Sequence, residues 1–88
     1  MLLHRINPEK NEARYYRVEV GPCISSLYAV HRVWGRIGRH RSGFLIMPCA
    51  SAEEAETLAG QLAQRKVKRG YVLVEDYENA QETPMRKP

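Results

Sequence analysis

The apolar residues of this chain change period at Ser51, and that change sets what it can fold into. From there Ala52, Ala55, Leu58, Ala59, Leu62 and Ala63 recur at intervals of three and four, which aligns them on one stripe of a helix. Before it, residues 14–20 alternate, with Tyr16, Val18 and Val20 on one side of an extended chain and Tyr15, Arg17 and Glu19 on the other. An alanine-rich stripe gains stability only when buried, and the alternating segments offer it a sheet face. The pattern predicts an α+β fold, a small, mainly antiparallel sheet of four to five strands with one long helix on one face and the other face open. A chain of 88 residues has room for one such core. We read one domain over residues 1–76 and a flexible tail over 77–88.

The helix carries its own start and stop signals. Ser51 with Glu54 forms a capping box, the serine accepting from a first-turn N–H and the glutamate reaching back to the serine N–H. Glu53, Glu54 and Glu56 at the start and Arg65, Lys66, Lys68 and Arg69 at the end suit the helix dipole, and Gly70 is the natural stop. Strands are expected at residues 3–6, 14–20, 27–34, 44–47 and 71–75, with a polar turn over 7–11. The segment 27–34 lacks a clean polar face, which points to cover on both sides or to a ligand.

Charge narrows the function classes. Lys and Arg number 14 against 10 Asp and Glu, and four of the acids lie beyond residue 74. Residues 1–74 therefore hold 12 basic and 6 acidic side chains, a net +6, and no acid occurs between Glu19 and Glu53. Such a field attracts phosphates or acidic protein surfaces. Catalytic signatures are thin. Asp76, the one aspartate, stands near the tail, no GxGxxG or Walker loop occurs, and the glutamates at the helix start are explained by the dipole, so no enzyme is read. Cys23 and Cys49 lack metal or redox spacing and are expected to be buried, reduced thiols. We expect no metal and no cofactor. The longest apolar stretch, 43–50, is interrupted by Pro48 and falls far short of the roughly 18 residues of a bilayer span. The N-terminus has no basic region followed by an apolar one, so the protein is expected to be soluble and cytoplasmic.

The residues of greatest interest lie between His31 and Gly43, where Trp34, the one tryptophan, stands among four arginines, three glycines and two histidines. As pure architecture, this is a hairpin with solvated arginines, glycines at positive φ and Trp34 filling core volume. As a site, glycines admit a phosphate to the backbone, arginines donate in pairs, and the indole offers a face to a base or sugar.

The run Val33-Trp34-Gly35-Arg36-Ile37-Gly38 resembles the signature of the WGR domain. Asn11-Glu12-Ala13-Arg14-Tyr15-Tyr16 is similar to the opening strand of that family, and residues 51–71 resemble its alanine-rich helix, which ends in Lys-x-x-x-Gly-Tyr. The resemblance covers about residues 11–74 in the expected order. WGR domains occur in poly(ADP-ribose) polymerases, where they help bind DNA ends and relay that binding to the catalytic domain, and in short bacterial proteins. The resemblance implies that Trp34 lies against a terminal nucleotide, that Arg36 contacts backbone or a neighbouring domain, that Gly35 allows close approach, and that Tyr71 with adjoining Lys68 and Arg69 lies nearby. Arg39, His40 and Arg41 enrich the loop beyond what the motif requires. Together these residues predict a non-catalytic module for nucleic acid, DNA in preference to RNA, at ends or breaks. The competing class is a protein-interaction module that docks an acidic partner.

Overall fold

The computed structural model describes residues 1–75. Its elements run β1 (Leu2–Asn7), a single 3-10 turn (Pro8–Lys10), β2 (Glu12–Cys23), β3 (Ser26–Arg36), β4 (Ser42–Cys49), α1 (Ala52–Lys68) and β5 (Val72–Glu75). The strands form one antiparallel sheet in the order β4-β3-β2-β1-β5, with α1 packed on one face, the α+β arrangement the periodicity predicts. The tail expected over 77–88, and Asp76 before it, lie outside the described residues.

β2 and β3 are longer than the sequence pattern suggests. They continue past Val20 and begin at Ser26, joined by the two-residue turn Ile24-Ser25, with an irregularity in pairing between Gly21 and Cys23. Neither turn residue is a glycine, asparagine or aspartate, so the usual hairpin signal is missing.

The core lies between α1 and the middle of the sheet. Leu3, Tyr16, Val18, Val30 and Cys49 meet Ala55, Ala59, Leu62 and Ala63, with Tyr71 at the end of the helix. Alanine at three of those four helix positions lets the helix backbone come close to the strands, so that the large side chains come from the sheet. The capping box forms with one change. The Ser51 hydroxyl accepts from the Glu54 N–H at 3.1 Å, but the Glu54 carboxylate takes the N–H of Ala50 at 2.6 Å instead of that of Ser51. Gly70 stops the helix at φ 97°, in the left-handed region. Ala52 at the start of the stripe is exposed, and Val20 is only partly covered. Cys49 is buried, but Cys23 is half-buried near the β2–β3 turn, which corrects the expectation of two buried thiols; both are free.

The other face of the sheet has no element on it among the described residues. Among the described residues, segment 27–34 thus has α1 on one face and no element on the other, although Ala29 on the second face is fully buried.

Candidate nucleic-acid interface

Strand alternation divides the segment 31–43 between two faces. Trp34 is the register partner of Tyr16, so Arg32, Trp34 and Arg36 stand on the helix side, while His31, Val33 and Gly35 stand on the open side. His31 is held by the Pro22 carbonyl, 2.9 Å from its Nε2, away from the tryptophan.

On the helix side, two transverse rows define the surface beyond the end of α1. One is Arg5, Arg14 and Arg36, register partners across β1, β2 and β3. The next is Leu3, Tyr16, Trp34 and Gly43. Trp34 lies flat over Gly43, where a Cβ would sit only 2.5 Å from the indole Cε2, and the ring remains 38% exposed. Its position is thus intermediate, packed on one side and open on the other. Arg32 bridges the aromatics. Its Nε donates to the Tyr16 hydroxyl at 2.8 Å, and its guanidinium carbon stands 5.6 Å from the Trp34 ring centre and 5.8 Å from that of Tyr16.

The helix adds a further cation. Lys66 continues the stripe Ala59, Leu62, Ala63 by one turn, so it points at the sheet, its Nζ 4.8 Å from the Tyr16 ring centre and 5.4 Å from that of Tyr71. Burial pushes the Lys66 ammonium below its ordinary pKa, and the charges of Arg69, Arg32 and Arg14 push it further the same way. Among the described residues no carboxylate forms an ion pair with Arg14, Arg32, Lys66 or Arg69; the ion pair nearest this surface joins Arg5 to Glu12 at 3.6 Å. The site is a set of cations gathered around aromatic faces, and the carboxylate on this face, Glu12, is taken up by Arg5.

The residues expected from sequence divide accordingly. Trp34 and Arg69 belong to this surface. Lys68 is exposed at the helix end, and Arg39, His40 and Arg41 form the exposed β3–β4 loop, where Gly38 adopts φ 83°. Tyr71 is a core residue, packed edge-on against Tyr16 at 6.4 Å and roofed by Lys66, so it supports the surface instead of forming it. Gly35 admits protein, not ligand, since a Cβ there would lie 3.0 Å from the Arg41 carbonyl oxygen and 3.1 Å from the Tyr15 hydroxyl. Arg36 is held within the chain, its two terminal nitrogens donating to the carbonyl and side-chain oxygens of Asn11 at 3.1 and 3.2 Å. Asn11 itself has φ 56° and closes the 3-10 turn, so Arg36 ties β3 to the start of β2. Sequence reasoning counted Arg32 among the four arginines of 31–43 and Lys66 among the charges at the helix end, but assigned neither of them, nor Arg14, to the site. The parity of Arg14 with Tyr16 and the helical spacing of Lys66 from Leu62 were the available signals.

A family model for the WGR domain matches residues 1–79. The chain belongs to the WGR domain family. WGR domains are in general nucleic-acid-binding modules of a non-catalytic family. An uncharacterized protein of Sinorhizobium fredii, y4dW, is 32% identical over 71 residues, 81% of this chain and 34% of that protein, so the chain spans about a third of the length of this relative. No solved structure matches the chain. In this WGR domain no group of three His, Cys, Asp or Glu side chains among the described residues is placed to hold a metal ion, and no helix is long and apolar enough to cross a membrane.

The Arg36–Asn11 contact has a direct consequence for the motif arginine. Arg36→Ala is expected to lower the stability of this WGR domain by about 1 to 2 kcal/mol through the two lost bonds, read from the urea midpoint. DNA affinity, corrected for the folded fraction, should change less than with substitutions at Arg32 or Lys66.

Proposed function

We propose that this WGR domain binds DNA, in preference to RNA, at strand ends or breaks, without catalysis. The observation that carries the reading is the group Arg14, Arg32, Lys66 and Arg69 near the half-open Trp34 ring, cations that have no ion-pair partner among the described residues and stand beside an aromatic face. Phosphates supply anions to these cations and relieve the mutual repulsion that adds to the effect of burial on Lys66. Trp34 offers a stacking surface that a base can use only when its own face is uncovered. Inside an intact duplex neighbouring pairs cover both faces of every base, whereas at an end one face is free and at a nick the stack can open to free one. Arg39, His40, Arg41 and Lys68 extend the positive surface, and Gly35, Arg36 and Tyr71 hold the strand and helix that present it. Two free thiols suit the reducing cytoplasm, where we place the protein.

The test is a titration of labelled blunt, nicked and single-stranded DNA at several salt concentrations. With three to five phosphates neutralised, the slope of log K against log salt is expected at about −3 to −5, with tighter binding to nicked and blunt DNA than to closed circles of the same sequence. Trp34→Ala should weaken end binding by about 1 to 3 kcal/mol. A slope near zero overturns nucleic-acid binding. Tighter binding of an acidic peptide than of every DNA form assigns the same cations to a protein partner.

A further inference from the structure

The two edges of the sheet differ in kind. β5 carries Glu75 within its described span Val72–Glu75, but β4 runs eight residues, Ser42–Cys49, without a charged side chain. Its middle is exposed on both faces: Phe44 70% and Ile46 41% on the open side, Leu45 45% on the helix side. Natural edge strands of this length are usually blunted by charge, and an unblunted one has unpaired backbone groups ready for another strand.

We propose that this edge pairs with the same edge of a second copy, β4 antiparallel to β4, to make a continuous ten-stranded sheet. An antiparallel pair of identical strands is two-fold symmetric, so the fit to itself can be read from the sequence. With Leu45 opposite Leu45 of the second copy, Phe44 meets Ile46, Gly43 meets Met47 and Ser42 meets Pro48. Each pairing is uncharged, and the missing N–H of Pro48 falls at the end of the ladder.

The flanks of β4 favour a second copy over an unrelated strand. Arg39 and Arg41 lead into the strand, and Glu53 and Glu54 follow it in the exposed first turn of α1. Antiparallel pairing reverses the order, so the basic approach of one copy lies beside the acidic helix start of the other, at both ends of the interface. The symmetry axis is perpendicular to the sheet, which leaves both helices, and both Trp34 surfaces, on the same side of the dimer.

Light scattering and sedimentation of the full chain, from micromolar to millimolar concentration, test the pairing. A concentration-dependent dimer is expected, with β4 amides exchanging more slowly as it forms. Phe44→Lys and Leu45→Lys, at exposed positions, should give monomers with an unchanged circular dichroism spectrum. Arg41→Glu and Glu53→Lys should each raise the dimer dissociation constant about tenfold, and the double exchange should restore it. A chain that is monomeric throughout, or a dimer indifferent to Phe44→Lys and to the charge exchange, overturns the proposal. The first of those results would leave the edge to a strand of a different protein. Lys66→Met should leave the dimer intact, so a monomer that binds DNA defeats the pairing alone, and a dimer that ignores DNA defeats the binding reading alone.

Discussion

Lys66→Met is expected to weaken DNA binding while raising the stability of the unbound domain. The thioether keeps the aliphatic contact with Tyr16 and Tyr71 and removes an ammonium that burial and three arginines disfavour. Loss of one charge-assisted phosphate contact should cost about 1.5 to 3 kcal/mol of binding and reduce the magnitude of the salt slope by about one. The opposite signs are what make the variant informative, because a purely structural lysine would lose stability and leave the slope alone. The same group gives the free protein a pH dependence with a defined sign. Its folded pKa lies below the ordinary 10.5, so between the two values the unfolded chain binds more protons and stability rises with pH. Bound phosphate favours the protonated form, so affinity should fall as pH rises through the depressed value. Thermal melts and binding isotherms across that window, each repeated with Lys66→Met, would show both trends vanish together. Persistence of either trend in the variant would assign it to another group.

Gly43→Ala is expected to be the most damaging single-methyl change on this surface. The added Cβ would fall 2.5, 2.6 and 2.7 Å from three atoms of the indole, closer than non-bonded carbons tolerate, so either the ring or β4 must move. Overpacking of this kind costs about 1 to 3 kcal/mol, read from the urea midpoint. Since Trp34 is the one tryptophan, its fluorescence reports the displacement directly, and the binding loss should approach that of Trp34→Ala. Gly35→Ala should be milder, because its closest contacts are 3.0 Å and longer. A normal midpoint and an unshifted emission spectrum in Gly43→Ala would mean that the ring has free room above the sheet, and the platform described for it would fail. Neither glycine sits at positive φ, so both effects come from contact and not from backbone strain.

The two motifs of the family resemblance acquire a joint meaning in the fold. Asn11 and Arg36 stand 25 residues apart, and the structure joins them through two hydrogen bonds across the sheet. The arginine of the signature thus serves first as a clamp between β2 and β3. The neighbouring Arg32, outside the signature, takes the position between tryptophan and tyrosine that a ligand-facing arginine would occupy.

The sequence by itself determined what depends on neighbours in the chain. The shift from a period of two to a period of 3.6 near Ser51, the cap at Ser51 and the stop at Gly70 act within a few residues, and they place the helix after a sheet read as four to five strands. The long β2–β3 hairpin was less legible, because Ile24-Ser25 carries no turn signal and the pairing that extends both strands is non-local. The cationic surface was decided by tertiary structure alone. A contiguous run such as 31–36 reads as one patch, but a strand sends successive side chains to opposite faces, so His31 and Gly35 leave Arg32, Trp34 and Arg36. Register then brings Arg14 beside Arg36, and the helix, crossing at the angle its alanines permit, sets Lys66 among them. The cations grouped around Lys66 are separated by up to 55 positions in the chain, from Arg14 to Arg69, and the strand register together with the packing of Lys66 on Tyr16 and Tyr71 brings them together.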